Sequence, residues 1–161
     1  FTNLMAIKSA QRRVLGVELS RERVAVAAAT VGTRDNIRFA VADAKSLAIT
    51  ESFDVITFYD VLHHIRKDRQ VELLQTCRGL LRPHGLLLVK ENDTRPYWKY
   101  CVNYLHELIT QFTGITRGDR LSFRPAAEFS ELLAAQGFTV RTEPLVTNLP
   151  YPFVIFICRK N

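Results

Sequence analysis

Cysteine is scarce in this sequence, and the residues that do occur, Cys77, Cys101 and Cys158, are odd in number and far apart. Without C-x-x-C spacing they form neither a disulfide framework nor a zinc-finger pattern, and unpaired thiols suit a reducing cytoplasm. Glycine is also thin, with 7 in 161 residues, and no two of them form a G-x-G cluster of the kind that cradles a phosphate or a dinucleotide. Long hydrophobic runs are missing too. The longest, Leu86-Leu87-Leu88-Val89 and Phe153-Val154-Ile155-Phe156-Ile157, are strand-sized and far short of the roughly 20 residues of a membrane helix. No low-complexity tract or solenoid repeat is present.

The rest is an ordinary globular mixture, 47% hydrophobic and 24% charged. A length of 161 residues suits one domain, which would bury about 70% of its unfolded surface. The net charge of +6 permits an acidic partner, but the arginines are spread along the chain with acids between them. Nucleic acid is therefore a possible partner but not the favoured one, and no membrane partner is expected.

Hydrophobic periodicity gives alternating strands and helices. Phe1 to Ala10 reads as a short helix. Val14 to Glu18 reads as a buried strand, and Ser20 is a suitable N-cap for a helix over Arg21 to Val31, which Gly32 ends. Strands follow at Ile37 to Asp43 and Phe53 to Tyr59, then a helix over Lys67 to Leu81 and a strand at Leu86 to Val89. Such alternation builds a parallel sheet with helical crossovers. The last third predicts amphipathic helices over Tyr97 to Phe112 and Ala126 to Ala135. Two strands, Thr139 to Leu145 and Phe153 to Cys158, then form an antiparallel hairpin.

In an open parallel sheet, ligands bind at the carboxyl ends of the strands. Glu18 and Asp43 each close a strand, and each carboxylate can accept hydrogen bonds from a nucleoside. His63 and His64 follow the strand ending at Tyr59, and imidazole titrates near neutral pH, so both are candidates for general-base catalysis. A shared metal is not expected of them, because adjacent side chains diverge on a strand or a helix. Glu91 and Asn92, after another strand, can pair with or orient a polar substrate.

The order Val14-Leu15-Gly16-Val17-Glu18-Leu19-Ser20, Asn36 to Asp43, Phe53-Asp54-Val55-Ile56, Asp60-Val61-Leu62-His63-His64-Ile65 and Leu80-Leu81-Arg82-Pro83-His84-Gly85 resembles the class I S-adenosylmethionine-dependent methyltransferases. The resemblance implies an α/β, Rossmann-like three-layer sandwich, mostly parallel, with an antiparallel C-terminal hairpin. It implies S-adenosyl-L-methionine as cofactor and methyl transfer by in-line displacement. By position, Glu18 would hold the ribose and Leu19 pack near the adenine. Asp43 would accept from the adenine amino group, and Ala44 would offer its backbone N–H. Tyr59 and Asp60 would face the methionine end. His64, Glu91, Asn92 and Trp98 would line the acceptor site, the last from a helix that commonly covers it in this family.

That family's first strand and glycine turn would fall before Phe1. Residues 1–161 are therefore expected to be a single methyltransferase-like domain, N-terminally truncated, with its first strand missing. A small-molecule acceptor is favoured over protein or RNA. The competing expectations are a non-catalytic methyltransferase-like binding subunit and a nucleotide-dependent oxidoreductase.

Overall fold

A computed structural model describes residues 1–42, 51–116 and 121–161, which fall into two compact units, Phe1–Ile49 and Thr50–Asn161. In the first unit, helix α1 (Thr2–Ile7) precedes strand β1 (Val14–Glu18), helix α2 (Arg21–Ala29) and strand β2 (Ile37–Val41). The strands pair in parallel from Val14 opposite Ile37 to Glu18 opposite Val41. Ser20 caps α2 as its residue type predicts, its hydroxyl accepting from Arg23 N at 3.3 Å. Gly32, at φ +67°, takes the left-handed conformation that lets the chain leave the helix. Gly16 has a packing role. A Cβ there would meet the Phe39 ring at 2.6 Å, so the missing side chain admits that ring against β1.

The second unit contains strand β3 (Phe53–Tyr59), a 3-10 turn (Leu62–His64), helix α3 (Lys67–Leu80) and strand β4 (Leu81–Asn92). Helices α4 (Tyr97–Phe112) and α5 (Ala126–Ala135) follow, then strands β5 (Phe138–Pro144) and β6 (Phe153–Lys160). The sheet order is β3-β4-β6-β5, with β3 and β4 parallel and β6 antiparallel to both of its neighbours. The expected C-terminal hairpin is present, and its second strand lies inside the sheet rather than at the edge.

The alternation along β4 and β6 shows where the core lies. Leu87, Val89, Val154, Phe156 and Cys158 are almost wholly buried on one face, while Leu86, Leu88, Ile155 and Ile157 on the other are half-buried. Leu73, Leu74 and Cys77 of α3 and Phe129 and Leu133 of α5 are buried as well. Phe129 and Phe156 meet edge-on, with ring centroids 5.0 Å apart. Burial pushes the Cys77 and Cys158 thiols up to about 12, so both are packing groups rather than nucleophiles.

Two expectations about burial fail. The apolar spacing in α2 predicts a covered stripe, yet none of its residues is buried. In α4 the apolar residues Trp98, Leu105, Leu108, Ile109 and Phe112 are exposed, and the buried positions are Asn103 and Glu107. The helix forms over the expected span, but it turns a polar face inward because Glu107 pairs with the histidine turn.

The Phe129–Phe156 contact joins α5 to the centre of the sheet. Phe156→Ala is expected to lower the stability of Thr50–Asn161 by about 3–5 kcal/mol, the usual cost of deleting a buried aromatic. Chemical denaturation followed by circular dichroism would measure this, and a loss below about 1 kcal/mol would contradict the assignment of the core.

Candidate functional site

The carboxyl ends of β3 and β4 carry most of the buried polar chemistry. The chain leaves β3 through Asp60 at φ 52°, a left-handed conformation uncommon outside glycine, and then tightens into the Leu62–His64 turn. That turn starts with backbone N–H groups that its own hydrogen bonds cannot satisfy. Glu91 of β4 takes them. Its Oε1 accepts from Leu62 N at 2.7 Å and from Val61 N at 3.2 Å, and its Oε2 lies 2.6 Å from His63 Nδ1. An ionised carboxylate can only accept, so Nδ1 carries the proton and His63 Nε2 points away from Glu91.

On that far side stands Glu107, from α4. Its Oε1 is 3.7 Å from His63 Nε2 and its Oε2 is 3.6 Å from His64 Nε2, ion-pair distances rather than hydrogen bonds. Burial alone would lower the pKa of His63, but the Glu107 and Glu91 carboxylates outweigh it and raise it to about 9. His64 is shifted downward, first by burial and then by the neighbouring His63. Glu107 is held below its ordinary range chiefly by His63. The expectation that adjacent histidines diverge is therefore corrected. The tight turn brings the two rings to a centroid distance of 4.2 Å, both facing one carboxylate.

Packing fixes this arrangement. Phe123 stacks on the His63 ring at 4.6 Å, and Tyr100 of α4 meets Phe123 edge-on at 5.6 Å. Gln70, fully buried on α3, donates to the carbonyls of Leu62, Ile65 and Ser122 and accepts from Arg124 Nε at 2.8 Å. A second group lies beside the first. Asp60 accepts from Lys90 Nζ at 2.5 Å and from Asn92 Nδ2 at 3.2 Å, and Lys90 Nζ also lies 3.5 Å from the centre of the Phe153 ring. Burial raises the Asp60 pKa despite the opposing pull of Lys90, and burial likewise raises that of Tyr59.

Of the residues singled out in the sequence, the structure gathers Tyr59, Asp60, His63, His64, Glu91 and Asn92 at these two strand ends. Trp98 is not among them. It is exposed on α4 with Lys99 Nζ 5.6 Å from its ring, because the helix presents Tyr100, Asn103 and Glu107 inward instead. In the first unit, Glu18 ends β1 as expected, its Oε1 accepting from Ser20 N at 3.1 Å and its Oε2 lying 4.0 Å from Arg23 Nη1. Leu19 is exposed beside it. A carboxylate has about four acceptor positions, so one bond to Ser20 N leaves Glu18 able to take ribose hydroxyls, and exposed Leu19 suits the face of a purine. Asp43 and Ala44 lie outside the described residues. The sequence pattern did not point to Glu107, Gln70 or Phe123, although the spacing of Asn103 and Glu107, polar residues four apart inside an apolar helix, was a signal for the first of these.

A family model described as a methyltransferase domain matches residues 1–89. This is more than half of the chain, and the chain belongs to that family. Curated relatives include the N-terminal Xaa-Pro-Lys N-methyltransferase 1 of Danio rerio, 48% identical over 42 residues, and that of Homo sapiens, 38% identical over 42 residues. Each match covers 26% of this chain, and the matched segment spans only 19% of the relative's length.

Solved structures resemble the chain much more extensively. Magnesium protoporphyrin IX methyltransferase of Synechocystis PCC 6803, with bound S-adenosylhomocysteine, superposes at a TM-score of 0.66 and 17% identity, covering 91% of this chain and 63% of that one. The N-methyltransferase NodS of Bradyrhizobium japonicum WM9, with the same ligand, gives 0.68 at 14% identity, covering 92% and 66%. The YcgJ protein of Bacillus subtilis gives 0.69 at 16% identity, covering 91% and 81%. At these identities the likeness establishes the fold, which is that of the class I S-adenosylmethionine-dependent methyltransferases.

Glu91 satisfies two backbone donors and a buried imidazole at once. Glu91→Ala is expected to cost about 3–5 kcal/mol, as loss of one partner of a buried ion pair does, and Glu91→Gln less, because its amide oxygen still accepts from the turn. Urea titration of the two variants would measure both. Equal effects of the two substitutions would show that the charge on Glu91 does not matter.

Proposed function

We propose that this chain is an S-adenosylmethionine-dependent methyltransferase domain that methylates an amine nitrogen. The observation that carries the reading is the methyltransferase-domain match across residues 1–89, a span that takes in Glu18 at the end of β1 and the Asp60–His64 turn after β3. When bound, S-adenosylmethionine supplies an electrophilic methyl group on a sulfonium. Glu18 would hold the ribose hydroxyls and Leu19 the adenine face. Asp43 and Ala44 would complete the adenine contacts, and the backbone at Tyr59 and Asp60 would border the methionine end.

Methyl transfer needs an acceptor lone pair held in line at short range, and positioning supplies most of the rate. His64, Glu91 and Asn92 are the groups that would present the acceptor. The curated relatives are named as N-methyltransferases, which supports an amine acceptor. A small-molecule amine is the first reading. A second, favoured by the 48% identity over 42 residues to an N-terminal Xaa-Pro-Lys N-methyltransferase, is the α-amine of a protein chain.

Isothermal titration with S-adenosylhomocysteine tests the cofactor step. The protein should bind it, and Glu18→Ala should weaken binding about 10- to 100-fold, the equivalent of roughly 1.5–3 kcal/mol for hydrogen bonds to a charged group. No detectable binding by the unaltered chain overturns the proposal. Labelled-methyl assays with an amine panel and with a peptide beginning Xaa-Pro-Lys then separate the two acceptors. Tight cofactor binding without turnover on either would favour the non-catalytic binding subunit.

A further inference from the structure

The His63–His64–Glu107 cluster has more ligating capacity than hydrogen bonding uses. The His63 side chain is only 2% exposed, yet its Nε2 has no hydrogen-bond partner, and His64 turns its own Nε2 toward the same Glu107 carboxylate. One ligating atom from each of the three residues lies within 4.8 Å of the others. In a tetrahedral site with ligands roughly 2.0–2.1 Å from the ion, neighbouring ligand atoms lie about 3.3 Å apart. The two imidazole–carboxylate separations, 3.7 and 3.6 Å, already approach that value.

The surroundings match as well. A metal-bound imidazole typically donates its other ring N–H to a carboxylate, which fixes the tautomer and aims the lone pair. His63 has that partner in Glu91, at 2.6 Å from Nδ1. Glu91 is in turn held by the Val61 and Leu62 N–H groups, and the ring is clamped by Phe123. A metal ion would displace the proton that His63 Nε2 carries in the metal-free chain, as metal binding to imidazole does, and the Glu107 carboxylate would balance its charge. Two imidazoles and one carboxylate form a three-ligand set of the kind that leaves a fourth position open at catalytic zinc centres.

From this geometry we infer that His63, His64 and Glu107 form a binding site for a borderline divalent transition-metal ion of the zinc class. Adjacent histidines can share the ion because the 3-10 turn, unlike a strand or an α-helix, turns both rings toward α4. The inference stands on the side-chain cluster alone and does not require the methyl-transfer reading.

The probe is Co2+, added to metal-stripped full chain. One equivalent should bind and give the intense visible bands of a tetrahedral or five-coordinate ion. Glu107→Gln should weaken binding by more than the roughly 10- to 100-fold that loss of a supporting carboxylate causes, and His64→Gln should do the same. Thermal melting of both variants checks that they fold. X-ray absorption of the unaltered Co2+ protein gives an answer independent of them, and two imidazole shells with oxygen completing the set are expected. A hexa-aqua spectrum, sulfur ligation from a cysteine, or affinity unchanged in both folded variants overturns the site.

Discussion

The carboxylate of Glu91 organises the second unit. A parallel strand delivers its chain to the edge of the sheet with unpaired backbone groups, and after β3 that chain must turn at once toward α3. The Leu62–His64 turn can be buried only if its first N–H groups find acceptors. Glu91 supplies them from the adjacent strand, and with the same side chain fixes the tautomer of His63. Backbone satisfaction and side-chain chemistry thus rest on one residue. The turn cannot relax without exposing donors, and the imidazole cannot rotate without abandoning a carboxylate.

That requirement propagates into α4. By its apolar spacing, the helix would bury Trp98, Leu105 and Ile109; instead it buries Asn103 and Glu107. Burying a carboxylate is costly unless a counter-charge meets it, and here His63 provides one, its pKa raised to about 9 against the opposing effect of its own burial. A charged His63 between Glu91 and Glu107 makes the polar face of α4 the better one to bury. Phe123 stacks on the His63 ring, and Tyr100 and Tyr104 pack against Phe123 in turn.

The elements were legible in the sequence because each rests on a local rule. Ser20 caps α2, Gly32 releases it, and a continuous apolar run marks β6. The C-terminal hairpin was legible for the same reason. The facing of α2 and α4 was not, since periodicity reports that a helix has an apolar stripe and not what covers it. At the site, the strand-end residues Asp60, His63, Glu91 and Asn92 were found from position, because the carboxyl ends of parallel strands are where ligand chemistry gathers. Glu107 and Phe123 were not found, since they arrive from segments distant in sequence. Pairing of His64 with Glu107 depends on a backbone turn that no residue pattern announces.

The position of Lys90 shows how closely binding and structure are combined at these strand ends. On β4 it alternates with Val89 and Glu91, so its side chain leaves the sheet on the face opposite Glu91. It neutralises Asp60 there and rests on the Phe153 ring of β6. Asp60 sits in a strained left-handed conformation, which needs a fixed anchor to persist. Lys90 and Asn92 provide that anchor through the side chain, and Lys90 also accepts the Asp60 backbone N–H at 3.0 Å. With its carboxylate occupied in this way, Asp60 presents backbone rather than charge to whatever lies beyond the strand end. The two faces of β4 therefore divide the work. Glu91 shapes the histidine turn, while Lys90 fixes the exit from β3 that leads into it.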